Sequence, residues 1–133
     1  MTPEGIALQY RKTHLWPSER SDFSPGDRFT TVLWRGVRVG LLICYDIELP
    51  ETSRALAQLG AEVVIVTNGN MDPYGPVHRT AIMARAQENQ LFAVMVNRVG
   101  AGMTAWCLPV AAWRSTRSGV CCLKQGAMRF AML

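Results

Sequence analysis

Hydrophobic and polar positions along the first hundred residues predict five strands and two helices. Alternation with a period of two predicts a strand over residues 6–11, and apolar, partly β-branched runs predict strands over residues 29–34, 37–44, 62–67 and 91–96. Apolar positions at helical spacing predict helices over residues 51–59 and 77–90. Because helices separate the last three strands, we expect a parallel or mixed sheet with helices on a face.

Turn and helix-end signals separate these elements. Arg35 and Gly36 lie between two strands and predict a tight hairpin turn. Pro50 fits the first turn of a helix, where its missing N–H costs nothing, and Gly60 is typical of a helix end. Cys44 therefore lies where a buried strand stops and a helix is about to begin. Ligands of α/β proteins bind at such strand ends.

Two residues at predicted strand ends could carry chemistry. Cys44 is either a nucleophile near a helix N-terminus or a small buried core residue. Lys12 is either a solvated surface charge or a group that holds the oxyanion of a tetrahedral intermediate. A nucleophilic cysteine also needs a base, for which His14 is one candidate. The spacing does not select among the carboxylates nearby in sequence: Glu19, Asp22, Asp46, Glu48 and Glu51.

Composition limits the class of protein. The 133 residues suffice for one core, no run approaches the length of a membrane span, and the N-terminus lacks the pattern of a signal peptide. We therefore expect a cytoplasmic protein that does not contact membranes. The net charge of +4 does not indicate nucleic-acid binding, because the first hundred residues are neutral overall. No Cys or His spacing fits a zinc site, and a disulfide framework is not expected.

Four segments together resemble the carbon–nitrogen hydrolases of the nitrilase superfamily: YRKTHLWPSERSDFSPGDR, GLLICYDIELPE, GAEVVIVTNGNM and ARAQENQLFAVMVNRVG. They agree with the family in order and spacing between Gly5 and Gly100, and the amidase-like branches are the most similar. The resemblance implies an α/β fold, a partial α-β-β-α sandwich, with a Glu-Lys-Cys triad and neither metal nor organic cofactor. It also implies a small-molecule amide or nitrile substrate and a homo-oligomer.

The resemblance assigns roles to individual residues. Cys44 matches the nucleophile of an ICYDxxxPE motif, and Lys12 matches the lysine of an RKxHL motif. The backbone N–H of Tyr45 would share the oxyanion with Lys12, and Glu19 falls in the region of a second, structural glutamate. The implied reaction is attack of the thiolate on an amide or nitrile carbon, release of ammonia or an amine, and hydrolysis of the thioester. The residues expected in the pocket wall are Asn68, Asn70 and Met71.

The N-terminal part departs from the family pattern. The family's general base is a glutamate on an early strand, yet Lys12 is only the twelfth residue and Glu4 lies in a predicted turn. We therefore expect a truncated start and, without the base, a rate lower by about 10²–10⁴-fold. An incomplete sandwich also leaves an apolar face uncovered, which predicts poor solubility. Two alternatives stay open: an inactive fragment with at most an interaction role, and a cysteine-dependent acyltransferase.

The last 33 residues stop resembling the family. We expect a partial hydrolase domain over residues 1–100 and a non-homologous tail over residues 101–133, which holds basic but no acidic residues. Its codons, read one base earlier, allow DDGLVFAGGSMAVDPFGRVLFEAG, which resembles the family's continuation. A frameshift after Gly102 also accounts for the cysteine cluster and the acid-free charge of the tail. A genuinely divergent C-terminus is the alternative.

Overall fold

The computed structural model describes residues 5–71, 73–98 and 107–110 of the chain. Its helices and strands are, in chain order, β1 (Thr31–Trp34), β2 (Val37–Ile43), α1 (Pro50–Gln58), β3 (Val63–Asn68), α2 (Gly75–Asn89), β4 (Phe92–Asn97) and β5 (Cys107–Val110). The elements predicted from residue 29 to residue 97 are confirmed, with ends that differ by one or two residues. None of the helices described is long and apolar enough to cross a bilayer.

The five strands form one mixed sheet in the order β1-β2-β3-β4-β5. Strands β2, β3 and β4 are parallel, and the two edge strands β1 and β5 run antiparallel to their neighbours. Parallel strands need a long crossover, which α1 and α2 supply. The expected α/β class with a parallel or mixed sheet is therefore confirmed, and the carboxyl ends of β2, β3 and β4 lie at one edge.

The hairpin between β1 and β2 turns at the two residues that the sequence indicates. Arg35 and Gly36 have φ angles of 50° and 81°, so both are left-handed. Two left-handed residues in a row match the right-handed twist of the flanking strands. The predicted tight turn is confirmed.

The core lies between one face of the sheet and the two helices. The side chains of Leu56, Val66, Ile82 and Met95 are fully buried there. Helix α1 packs so closely on β2 that a Cβ at Gly40 would lie 2.8 Å from the Leu56 side chain. Glycine at this position therefore sets the distance between α1 and the sheet.

The opposite face of the sheet is apolar and partly open to solvent. Phe92 and Val96 on β4 expose 47% and 46% of their surface, and Ile65 on β3 and Val94 on β4 are half-buried. Exposed contiguous apolar surface on this scale marks an interaction site or an aggregation liability. The described residues thus form one helical layer and one sheet layer of the sandwich that the resemblance implies.

The segment before β1, residues 5–28, is called the arm below. The predicted strand over residues 6–11 is wrong: the arm contains a one-turn 3-10 helix, Pro17–Glu19, but no strand longer than an isolated bridge. Alternation of apolar residues does not by itself supply a partner strand. The hydrogen bonds described for the arm are loop and side-chain contacts rather than strand pairing. Gly26 N–H donates to the Lys12 carbonyl at 2.7 Å, and Tyr10 stacks on Phe29 with ring centroids 6.2 Å apart.

The expected tail, residues 101–133, lies outside the described residues except for β5. Strand β5 pairs with β4 from Ala93↔Val110 to Val96↔Cys107. These four residues extend the sheet by one strand.

Candidate active site

Cys44 begins a short 3-10 helix, Cys44–Glu48, directly after β2. The backbone turns sharply there, because Ile43 is extended and Cys44 has a φ of 50°. A left-handed conformation costs a non-glycine residue about 1–2 kcal/mol, so the surrounding structure must hold it. The Cys44 thiol is free and only partly buried. The expected placement of Cys44 at a strand-to-helix turn is confirmed, and α1 follows with Pro50 in its first turn.

Lys12 and Glu19 form an ion pair in the arm. Lys12 Nζ donates to Glu19 Oε2 at 2.6 Å, and the Lys12 side chain is only 11% exposed. The same carboxylate oxygen accepts a hydrogen bond of 2.8 Å from Trp16 N–H. Burial by itself would raise the pKa of Glu19, but the hydrogen bonds from Lys12 and Trp16 outweigh it, and the pKa lies below its usual range. The Lys12 side chain is therefore largely shielded from solvent and has a fixed carboxylate partner.

Asp46 joins the arm to the Cys44 turn. Its carboxylate is fully buried and accepts hydrogen bonds from the Tyr10 hydroxyl at 2.9 Å and the Thr13 hydroxyl at 3.0 Å. It also accepts from the backbone N–H of His14 at 2.9 Å and of Ile43 at 3.1 Å. Tyr10, Thr13 and His14 surround Lys12 in sequence, and Ile43 precedes Cys44. One carboxylate thus brings the two candidate catalytic segments together.

His14 does not form the Cys–His pair that the sequence left open. Its Nδ1 lies 3.0 Å from Thr13 Oγ1 and 3.3 Å from Asp46 Oδ1. This ring nitrogen is directed at the Asp46 network. Among the described contacts of His14, none is with the cysteine.

The three predicted pocket residues follow β3 but have different surroundings. Asn68 and Asn70 are 8% and 6% exposed, whereas Met71 is 47% exposed. Asn97 on β4 clamps the loop, because its Oδ1 accepts from Asn70 N–H at 2.8 Å and its Nδ2 donates to the Asn70 carbonyl at 3.0 Å. Ile43 pairs with Thr67, so Cys44 is level with Asn68 at the sheet edge. Among the residues that the structure describes, the buried atoms Asn68 Oδ1 and Asn70 Nδ2 have no hydrogen-bond partner.

His78 is a buried residue of this edge that the sequence analysis missed. It is 3% exposed, its Nε2 lies 2.8 Å from Glu48 Oε1, and its Nδ1 lies 3.0 Å from Asn68 Nδ2. Burial lowers the pKa of His78, Glu48 opposes this, and the charge of Lys12 adds to the lowering. The spacing of His78, Ile82 and Ala86 was the available signal, because positions four apart share the buried face of a helix.

The five carboxylates that the sequence offered as candidate bases differ in their partners and exposure. Glu19 pairs with Lys12, Asp46 holds the arm, and Glu48 pairs with His78, whereas Asp22 and Glu51 are exposed. In the part of the chain that the structure describes, no group of three or more His, Cys, Asp or Glu side chains could hold a metal ion. The side chains described at this edge carry a thiol at Cys44, an amine at Lys12 and carboxylates at Glu19, Asp46 and Glu48.

Comparison with known proteins gives consistent matches. A family model described as carbon–nitrogen hydrolase matches residues 2–125. An (R)-stereoselective amidase from Pseudomonas sp is 99% identical over 102 residues, which cover 77% of this chain and 37% of that protein. A nitrilase from Pyrococcus abyssi (strain GE5 / Orsay) is 39% identical over 99 residues, 74% of this chain and 37% of the nitrilase. The chain thus spans little more than a third of either relative.

Solved structures agree with these matches. A mutant of the amidase from Nesterenkonia sp. AN1 is similar with a TM-score of 0.66 and 34% identity, over 72% of this chain and 39% of that chain. That structure shows the result of Michael addition of acrylamide at the active site cysteine.

Proposed function

This chain belongs to the carbon–nitrogen hydrolase family, and on that premise we propose that Cys44 and Lys12 form part of a site that hydrolyses a small non-peptide amide or nitrile. The single observation that carries the proposal is the Asp46 network, which joins the turn that bears Cys44 to the segment that bears Lys12. Acyl transfer requires a nucleophile and a fixed positive group for the oxyanion, and the network couples the two segments that bear these candidates.

The proposed reaction on an amide runs in two halves. The Cys44 thiolate attacks the carbonyl carbon, a carbon–sulfur bond forms, and the carbonyl electron pair moves to oxygen. Lys12 Nζ and Tyr45 N–H stabilise this oxyanion. When the carbonyl forms again, the carbon–nitrogen bond breaks, and the nitrogen takes up, through water, the proton that the Cys44 thiol gave up and leaves as ammonia or an amine. Water then attacks the thioester, which releases the carboxylic acid and the thiol.

Glu19 acts in this proposal by holding Lys12. The 2.6 Å contact between Lys12 Nζ and Glu19 Oε2 keeps the ammonium group from leaving towards solvent. The residue therefore contributes to position and charge rather than to proton transfer, because its pKa lies below its usual range. This supports the structural role that the resemblance assigns to a second glutamate.

Asn68 and Asn70 are proposed to line the substrate pocket. Each has one buried amide atom without a hydrogen-bond partner in the described part of the chain, an acceptor at Asn68 Oδ1 and a donor at Asn70 Nδ2. Buried polar atoms nearly always have a partner, so a ligand or water is expected there. An amide substrate offers both a donor and an acceptor. Met71, which is largely exposed, would form the apolar rim.

The proposal also covers the location, oligomeric state and domain division of the protein. We infer a cytoplasmic homo-oligomer without nucleic-acid or membrane partners, and exposed Val77 and Met83 on α2 support a subunit contact. The division into residues 1–100 and a tail stays a prediction. The 99% identical stretch of 102 residues supports it, whereas the match to the family model, which runs to residue 125, argues for a longer domain.

Ammonia release from small aliphatic amides by the purified chain tests the proposal. We expect release that disappears in Cys44→Ala and falls by about 10²-fold or more in Lys12→Met, which keeps the apolar stem but removes the charge. Release that persists in Cys44→Ala would contradict the proposal. A chain without turnover is tested by the first half-reaction alone.

That second test compares two thiol reagents at Cys44 by peptide mass spectrometry. Acrylamide places an amide oxygen in the site, whereas methyl methanethiosulfonate reacts with a thiolate without an amide group. We expect Lys12→Met to lower the ratio of the acrylamide rate to the methanethiosulfonate rate by about tenfold. An unchanged ratio would count against an amide site and favour an inactive fragment.

A further inference from the structure

Asp46 is the one fully buried carboxylate among the described residues, and its hydrogen bonds join two separate segments. Oδ1 accepts from the Thr13 hydroxyl and from His14 N–H, and Oδ2 accepts from the Tyr10 hydroxyl and from Ile43 N–H. Thr13 and Tyr10 are 33 and 36 residues away from it in sequence. Charged acceptors make stronger hydrogen bonds than neutral ones, so this contact fixes both segments.

We propose that Asp46 is a positioning residue that sets the distance between Lys12 and the Cys44 thiol. The inference rests on the proposed function, because it assigns Asp46 no contact with the substrate. Two features give the carboxylate this role. The arm has no strand to hold Lys12, and Cys44 is in a conformation that must be held by its surroundings. Asp46 bonds to the arm at Thr13 and His14 and to the residue before Cys44, Ile43.

The directions of the hydrogen bonds make the role specific to a carboxylate. The N–H groups of His14 and Ile43 are fixed donors, and they face different oxygens of Asp46. An asparagine has one acceptor oxygen, so its NH₂ group would face one of these two N–H groups. Asp46→Asn therefore loses either the tether to the arm or the tether to the turn, while the side-chain volume hardly changes.

The surroundings of Tyr10 agree with this role for Asp46. Burial raises the pKa of Tyr10, a hydrogen bond with Thr13 opposes this, and the Asp46 charge and hydrogen bond add to the rise. The tyrosine is thus kept as a neutral donor next to Asp46. Glu19 has a different task, because it touches the ammonium group of Lys12 itself. Two carboxylates therefore hold the lysine segment, Glu19 at the ammonium group of Lys12 and Asp46 at the neighbouring residues Thr13 and His14.

The test measures the same ratio of acrylamide to methanethiosulfonate rates at Cys44. In acrylamide addition, Sγ bonds to the terminal carbon, the electron pair moves to the amide oxygen, and a proton then adds to the carbon next to the carbonyl. Only this reaction places negative charge on an amide oxygen that Lys12 can stabilise, and an effect of Lys12 on the thiolate itself cancels in the ratio. We expect Asp46→Asn to lower the ratio by about tenfold or more, with the methanethiosulfonate rate within about twofold of the original.

Two comparisons separate positioning from a general structural role. Asp22→Asn removes an exposed carboxylate of the arm and should leave the ratio unchanged. In a Lys12→Met background, Asp46→Asn should lower the ratio no further, because its effect passes through Lys12. A full additional loss in that background would overturn the inference.

The remaining outcomes are also decisive. If Lys12→Met lowers the ratio and folded Asp46→Asn does not, the inference is wrong and the proposed function stands. If neither lowers it, both are wrong. If Asp46→Asn loses its helical circular dichroism and reacts faster with both reagents, Thr13→Ala replaces it, since this change removes one hydroxyl donor. A ratio lowered about threefold supports the inference, and an unchanged ratio overturns it.

Discussion

Cys44 follows a strand that is hydrogen-bonded to neighbours on both sides, whereas Lys12 lies in the arm, which is held mainly by side chains. Strand β2 pairs with β1 and β3, and α1 packs against one face of β2 at Gly40. Lys12 depends on Asp46, Glu19 and the contact of Gly26 with its carbonyl. One half of the site is thus fixed by backbone pairing and core packing, and the other half by a few polar contacts. The sheet and its two helices are called the frame below.

The largest effect is expected where the frame loses core volume. Leu56→Ala should lower the free energy of unfolding by about 2–5 kcal/mol, because the fully buried side chain fills the space above Gly40. Urea denaturation followed by circular dichroism measures it. Leu59→Ala is the matched control near the end of the same helix, since Leu59 is 47% exposed. Equal losses at the two positions would mean that the core does not carry the frame.

Removal of the Lys12–Glu19 ion pair should unfold the arm locally while the frame stays folded. Glu19→Gln should accelerate amide hydrogen exchange in residues 5–28 by about tenfold, or ~1–2 kcal/mol, since the Lys12 and Trp16 hydrogen bonds lose a charged acceptor. Exchange in β2 should not change. Asp22→Asn is the control in the same segment. A Glu19 variant whose β2 exchanges as fast as its arm would show that the two regions are not independent.

The turn at Cys44 should gain stability when its strain is removed. Because Cys44 has a φ of 50°, Cys44→Gly should be more stable than Cys44→Ala by about 1 kcal/mol. At Ile43, which is extended, the same pair should have the opposite order. Thermal unfolding of the four variants measures both differences. Greater stability of alanine than glycine at position 44 would contradict a left-handed turn there.

The smallest expected effect is on the free energy of unfolding at mildly acidic pH. The pKa of His78 is lowered by burial, so below the ordinary value of about 6.5 the unfolded chain binds a proton that the folded chain does not. The free energy of unfolding should therefore fall as the pH drops from 6.5 towards the lowered pKa. His78→Gln should flatten this dependence in urea titrations at several pH values. A stability that rises in this window would contradict a buried neutral His78.

The frame could be predicted from sequence because its signals are local. Arg35 and Gly36 indicate their turn by residue type, and Pro50 indicates the start of α1. The strand predicted over residues 6–11 is wrong, because an alternating pattern shows which residues share a face but not whether a neighbouring strand pairs with them. Periodicity cannot tell whether another strand will lie alongside, which is settled by contacts distant in sequence.

The candidate site was only partly predictable. Cys44 could be located from the end of an apolar run. Lys12 was singled out at the end of a predicted strand that does not form, and only the family resemblance gave it a specific role. Asp46 was one of five equivalent carboxylates in the sequence, because its partners Tyr10 and Thr13 are more than thirty residues away. His78 escaped notice because a single histidine within a helix is usually unremarkable. Its pairing with Glu48 across 30 residues became visible only in the fold.

The Asp46 network also constrains how this segment can vary during evolution. A carboxylate that faces two hydroxyls and two backbone donors ties the choice of residue at positions 10, 13 and 46 together. A lineage that replaced Asp46 would relax selection on Tyr10 and Thr13 at the same time. Among relatives, these three positions should therefore covary, whereas exposed neighbours such as Gln9 and Arg11 should drift independently.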